Sequence, residues 1–177
     1  MIFVYIFLVI IMLIFVSMYM LSLINNILYK VPQVSTFNSD LELLNKVFSE
    51  YNLNWKKIVD LGSWTWKMLR FFEKNYKMQV FWFEIDYSNV LISNIIKKIL
   101  WYKYISKRQN YFKTDLSKYD FVYIYLFPVL MQKVEDKIWN SSKPWTIIFV
   151  NAFKFEKHKP IKVFKKNWKD KIFVYEV

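Results

Sequence analysis

A single glycine, Gly62, serves the whole 177-residue chain. It stands in KIVDLGSWTWKMLRFFE (57–73), where a short apolar run turns through a tight loop into a helical pattern. Glycine supplies positive φ at turns and helix ends without steric cost, and a chain of this length ordinarily holds about 12 of them. This one holds eight tryptophans instead. Two of them, Trp64 and Trp66, occupy the loop in which the backbone needs the smallest side chain.

The remaining tryptophans stand in comparable places. Trp101 follows a helical pattern ending at Ile99-Leu100, and Trp139 follows one ending at Lys137-Ile138; glycine is the usual residue just past a helix end. Trp145 in KPWT and Trp55 in LNWKK sit where Pro-Gly or Asn-Gly turns would precede a strand. Trp168 in KNWK lies between two strands, where Asn-Gly is the strongest hairpin signal. Trp82 lies on a strand whose end would approach a ligand, and it alone could pass for a core residue. Abundant Lys, Asn, Ile, Phe and Tyr suggest an AT-rich gene, which lowers glycine but does not raise tryptophan. The pattern implies that these positions are UGA codons, which the source reads as glycine and the present translation renders as tryptophan. With glycine restored, the stretches become KIVDLGSGTGKML and VFGFEID.

Residues 1–29 carry no charge, and their first 24 are almost unbroken apolar sequence. About 20 such residues span a bilayer as a helix. A basic n-region and a small-residue cleavage motif are both missing, which argues for an uncleaved anchor over a signal peptide. Lys30, Lys46, Lys56 and Lys57 follow the span and no basic residue precedes it, so the positive-inside rule places the C-terminal part in the cytoplasm. All of the net charge of +12 falls after the span. It suits an anionic lipid surface. Nucleic acid is the less favoured partner, because the basic residues are spread from Lys97 to Lys171 instead of forming one aromatic-interleaved motif.

The chain divides into an anchor (1–29), a linker and pre-domain helix (30–54) and a domain (55–177). Asp40 is a candidate cap for the helical stripe Leu41, Leu43, Leu44, Val47 and Phe48. Strands are expected at 56–61, 78–85, 108–115, 119–127 and 146–153, with helices at 66–76, 88–100 and 129–138 between them. IKVFKK and KIFVYEV close the chain as two further strands. This alternation predicts an α/β fold with a mostly parallel seven-stranded sheet, helices on both faces and an antiparallel C-terminal hairpin. Without cysteine, neither a disulfide framework nor a cysteine zinc site can form, and one histidine, His158, argues against a metal centre or a histidine triad. No metal is expected.

With glycine restored, residues 55–153 resemble the class I S-adenosylmethionine-dependent methyltransferases. VDLGSxTxK is similar to their first motif and VFxFEID to their second. The closer resemblance is to a membrane-anchored lysine methyltransferase family, which includes the mitochondrial enzymes that modify the ATP synthase c subunit and the adenine nucleotide translocase. Similar features are the apolar span, the stretch VPQVST (31–36) and the strand–Pro–helix unit YDFVYIYLFPVLMQKVEDKI (119–138) with Val134, Glu135 and Lys137. The resemblance implies a Rossmann-like fold, S-adenosylmethionine as cofactor and a membrane-protein lysine as acceptor.

It also implies roles. Asp60, Gly62, Ser63, Trp64 and Trp66 would cradle the amino-acid part of the cofactor. Glu84 would accept the ribose hydroxyls, or else be a solvated strand end. Asp115, taken as closing the third strand, would contact the adenine amino group, or else be a turn acid. Phe127, Pro128 and the 151–153 strand end would wall the acceptor pocket. Glu135 would orient the acceptor, or else pair on the helix surface with Lys133 or Lys137, and His158 would lie in a solvated loop. Two other readings compete: a methyltransferase acting on RNA or a small molecule, and a non-catalytic, basic, membrane-tethered binding module in which the tryptophans are genuine.

Overall fold

The computed structural model describes residues 1–29, 38–62, 67–166 and 171–177. Ser63, Trp64, Trp66, Trp168 and the VPQVST stretch lie outside the described residues. A long apolar helix, α1 (Ile2–Tyr29), comes first. Within it, Ile2–Leu21 has a mean hydropathy of 2.9, long and apolar enough to cross a membrane. Then follow α2 (Asn38–Phe48), β1 (Lys57–Leu61), α3 (Lys67–Asn75), β2 (Gln79–Glu84), α4 (Tyr87–Ile99) and β3 (Ile105–Arg108). After two short 3-10 turns come β4 (Phe121–Ile124), α5 (Pro128–Ser141), β5 (Ile147–Asn151), β6 (Lys162–Lys165) and β7 (Lys171–Glu176).

The seven strands form one sheet in the order β3-β2-β1-β4-β5-β7-β6. The first five are parallel, and β7 runs antiparallel to both of its neighbours. The fold is α/β and Rossmann-like, with the C-terminal hairpin closing one edge. Every residue of β4 is buried, as in a parallel strand covered on both faces.

Strand alternation divides the core in two. Ile58, Trp82, Tyr123 and Phe149 face the apolar stripe of α2 (Leu43, Leu44, Val47, Phe48) and Met68, Leu69 and Phe72 of α3. Val59, Leu61, Val122, Ile124 and Val150 face Met131, Val134 and Ile138 of α5. Phe48 ties the first layer together, meeting Phe72 and Phe149 edge-on at 5.1 Å and 4.6 Å between centroids. So α2 packs its stripe into the domain core. It begins at Asn38, which puts Asp40 inside its first turn and not at the cap.

Two expected boundaries shift. The third strand is Ile105–Arg108, not 108–115: its ladder with β2 stops where Arg108 pairs Glu84, and the chain then tightens into turns. Helix α5 runs on to Ser141, so Trp139 lies within it and not past its end. There Trp139 stacks on His158 with centroids 3.7 Å apart.

Among the described tryptophans, Trp55, Trp101 and Trp145 have φ of 64°, 58° and 69°. Left-handed backbone costs a side chain with a Cβ roughly 1–2 kcal/mol, and for a bulky residue it is a conformational outlier. Main-chain bonds fix each site. The Trp55 N–H donates to the Lys77 carbonyl and the Trp145 N–H to the Val177 carbonyl. Trp101 ends α4 with the Tyr102 N–H donating to the Lys97 carbonyl, the helix-end geometry that favours glycine. All three indoles are at least 79% exposed and gain little from packing. Trp82 differs: it is fully buried, and its indole N–H has no hydrogen-bond partner among the described residues.

Converting Trp55, Trp101 and Trp145 to glycine is therefore expected to stabilise the fold. The relief of roughly 1–2 kcal/mol per site is offset by about 0.5–1 kcal/mol of added chain entropy in the unfolded state. The triple variant should melt roughly 5–10 °C higher, followed by circular dichroism. A lower melting temperature would show that these turns favour tryptophan.

Candidate active site

The carboxyl ends of β1, β2 and β4 converge on a slot of about 150 Å³. Its floor is Gly62, at φ 79°. A Cβ built there would stand 2.8 Å from Leu126 Cδ2 and 3.5 Å from Tyr111 Cε1, so even a methyl group does not fit without displacing the wall. The close approach and the backbone angle both favour glycine, and glycine is what the sequence keeps.

Glu84 ends β2 on one side of this slot. Its Oε1 accepts from the backbone N–H of Ile85 at 2.7 Å and of Asp86 at 3.0 Å. Burial raises its carboxyl to about 7, with the Asp86 charge adding a smaller push and the two backbone donors opposing. Asp86 caps α4, accepting from the Ser88 and Asn89 amides. The opposite wall is Tyr111 and Phe112, whose rings lie 4.6 Å apart. Burial, then the nearby Glu84 charge, pushes the Tyr111 phenol well above its ordinary range.

Asp115 lies apart from this slot. It does not close a strand but caps the Leu116–Lys118 turn, accepting from the Ser117 amide at 3.1 Å and hydroxyl at 2.6 Å. With Lys118 at 3.4 Å, its carboxylate is exposed and engaged in the turn, as in the competing reading. The residues after β3 that do line the slot are Asn110, Tyr111 and Phe112. Asn110 Oδ1 accepts from the Phe112 amide and turns both rings inward. The sequence signal for them is an asparagine followed by two aromatics just past a strand.

A second cavity, about 450 Å³, opens beside the first between the start of α5 and the end of β5. Pro128, Met131, Ala152, Phe153 and Phe173 line it, with Lys154, Glu156 and Lys171 at its margin. Leu126 and Leu130 face the glycine-floored slot while Pro128 and Met131 face this cavity, so one segment forms the wall shared by both. Phe127 sits at the head of that segment, 37% exposed, its ring 6.5 Å from that of Phe153. Ala152 holds φ at 69°, a second left-handed site at the carboxyl edge. Such backbone persists only where the surroundings over-determine it.

Glu135 reaches neither cavity. It is fully buried, and its carboxylate accepts the backbone N–H groups of Glu156, Lys157 and His158 at 3.1, 3.0 and 2.8 Å. His158 Nδ1 lies 2.8 Å from the same carboxylate, with its ring on Trp139. Neither the acceptor-orienting role nor the surface pair with Lys133 or Lys137 describes it, and His158 is half-buried, not solvated. Glu135 instead positions the loop after β5 that borders the second cavity. Glu135→Ala leaves three donors unsatisfied, at about 1–3 kcal/mol each before relaxation. Amide exchange at 156–158 should accelerate strongly, while exchange in β1 changes little. Unchanged exchange at 156–158 would refute this role.

Asp60 is fully buried on β1, in register with Trp82 and Tyr123, one residue before the strand ends. Among the described residues, no group of three or more His, Asp or Glu side chains is placed to hold a metal ion.

By sequence, no family model and no curated protein matches the chain. By structure, many solved chains do. An RNA methyltransferase from Salinibacter ruber in complex with S-adenosyl-L-homocysteine aligns with TM-score 0.70 at 18% identity, over 81% of this chain and 94% of that one. MtNAS in complex with MTA and tNA aligns with TM-score 0.64 at 15% identity, over 78% of this chain and 60% of that one. A SAM-dependent methyltransferase from Thiobacillus denitrificans in complex with S-adenosyl-L-homocysteine aligns with TM-score 0.57 at 14% identity, over 78% and 58%. At these identities the likeness is one of fold.

Proposed function

We propose that this chain is an S-adenosylmethionine-dependent methyltransferase, tethered by α1 and acting on a lysine amine of a membrane protein. The observation that carries the reading is the glycine-floored slot with Glu84 at its side, adjoining a second cavity across the Leu126–Met131 wall.

The slot suits a nucleoside. Gly62 leaves the backbone bare where a ligand must approach, Glu84 offers a carboxylate to vicinal hydroxyls, and Tyr111 and Phe112 present ring surface to a base. Asp60, Ser63 and the positions now written Trp64 and Trp66 would hold the amino-acid end, aided by the amino terminus of α3. When bound, the cofactor supplies an already activated sulfonium methyl group, so the protein's task is orientation and exclusion of water. An attacking lysine must be neutral, against an ordinary pKa near 10.4. Phe153, Phe173 and Met131, with Phe127 beside Phe153, provide apolar surroundings that favour the neutral amine.

This reading takes the tryptophans at 64 and 66 as glycine in the working protein. The left-handed backbone at Trp55, Trp101 and Trp145 supports the same codon reassignment from independent positions. Sequencing the gene tests it directly, since UGG codons at these sites would end it. The anchor, with the basic residues that follow it, supports a cytoplasmic domain.

A second reading, methylation of RNA, draws on the net charge of +12 and on the likeness to an RNA methyltransferase over nearly that protein's full length. Transfer of a labelled methyl group by the glycine-restored chain separates the two. Label on a membrane-protein band, stable to ribonuclease, supports the proposal. Label lost with ribonuclease favours RNA, and no label on either favours a non-catalytic binding module.

A further inference from the structure

The chain enters the domain at one particular end of the sheet. Strand β7 pairs antiparallel with β5, with Ile172 opposite Asn151 and Glu176 opposite Ile147. It therefore starts at the carboxyl edge, where the two cavities lie. Strand β6 pairs with β7 through Lys165–Lys171 and Lys162–Val174. Lys165 is thus at the carboxyl edge and Lys162 toward the opposite one. Helix α2 is clamped to this hairpin by two ion pairs, Glu42 with Lys166 and Glu50 with Lys162. These pairs fix its direction: the amino-terminal end of α2 lies at the carboxyl edge of the sheet.

That end is the one the anchor feeds. Helix α1 ends at Tyr29 and α2 begins at Asn38. The eight intervening residues reach at most about 29 Å fully extended. The opposite edge lies a further strand length away, about 17–20 Å.

The surface at the near edge suits a bilayer. Phe127 and Val129 are 37% and 71% exposed at the start of α5. Lys154 borders the same cavity, and Lys113 and Lys165 are exposed on other segments at this edge. Exposed apolar and aromatic groups together with lysines are the chemistry of a headgroup interface. The far edge is also rich in lysine, so charge does not distinguish the two; α2 begins at the near edge, which is therefore reached from α1 by the shorter path.

We infer that the carboxyl edge, with both cavities, lies against an anionic bilayer surface, held there by the short connection into α2 and by the exposed lysines. The inference rests on the reading of α1 as a membrane anchor and of this edge as the active site. The acceptor is then an amine at headgroup level, on the membrane-proximal part of an integral protein. An amine on a freely diffusing partner would have to enter between the domain and the lipid.

The chain has no cysteine, so single labels can be placed at will. The test uses the full-length chain carrying Trp55→Gly, Trp101→Gly and Trp145→Gly, which removes exposed indoles that could themselves insert at the far edge. A fluorophore is attached at Lys165→Cys (near edge) or Lys77→Cys (far edge). The protein is reconstituted into vesicles rich in phosphatidylglycerol with a quencher on the lipid headgroup. Quenching at 165 is expected to exceed that at 77 several-fold and to fall in phosphatidylcholine vesicles. Failure to float with vesicles overturns the anchor and the inference with it. Flotation with equal or stronger quenching at 77 overturns the orientation alone, leaving anchor and fold-based reading intact. Quenching at 165 that ignores lipid charge, or that added RNA abolishes, overturns the anionic-lipid surface.

Discussion

Replacing Trp64 and Trp66 together with glycine should raise affinity for S-adenosylmethionine by at least about a hundredfold, equivalent to roughly 3 kcal/mol. Gly62 shows how little space the slot offers: one added methyl group there already meets Leu126 at 2.8 Å. Only four residues separate Gly62 from the first residue of α3. A loop that brings backbone amides to a ligand depends on missing side chains, and an indole is the largest side chain there is. The chain as written should bind the cofactor weakly or not at all, and the double variant tightly. Equilibrium dialysis with labelled cofactor measures both. Tight binding by the tryptophan form would remove the steric premise of the proposed function.

The second large effect is at Glu84. Each hydrogen bond from a ribose hydroxyl to its carboxylate is worth roughly 1.5–3 kcal/mol, so Glu84→Gln should weaken cofactor binding about 30- to 100-fold. The pH dependence is more diagnostic. With its carboxyl at about 7 in the free protein, Glu84 must shed a proton to accept both hydroxyls. Affinity should therefore fall as pH drops below 7, by up to about tenfold per unit, and level off above it. Glu84→Gln should flatten that profile. Stability moves the opposite way. The folded-state value lies above the ordinary 4.5, so between pH 4.5 and 7 the folded, unliganded chain holds a proton that the unfolded chain has lost. Its stability should fall as pH rises through that window, and Glu84→Gln should remove the slope. A binding profile of unchanged shape in the variant would assign the proton to another group.

Much of the architecture was legible from pattern alone. The β-α alternation and the two closing strands predicted the sheet, because a parallel strand buried on both faces must be continuously apolar, and Phe121–Ile124 is. Gly62 and Glu84 could be located because the one follows and the other closes a mostly apolar strand. Asp115 was misplaced for a physical reason: apolar content continues past Arg108, but Asn110 and Asp115 each cap a turn with their own side chain, and such local bonds compete with a ladder. Trp139 was misplaced because nothing in the local sequence stops α5 before Ser141, and the eight tryptophans do not all fill glycine-demanding sites.

Sequence by itself determined the long apolar helix, the strand and helix order, and three positions, 55, 101 and 145, where tryptophan conflicts with the backbone, since these depend on local composition and period. Tertiary structure alone decided that Glu135 holds the 156–158 loop and stays away from the second cavity, and that Leu126 and Pro128 face different cavities. It alone decided that α2 brings its amino-terminal end to the carboxyl edge. Those facts depend on which distant segments meet, and a side chain's chemistry does not specify its partner until the sheet has set the register.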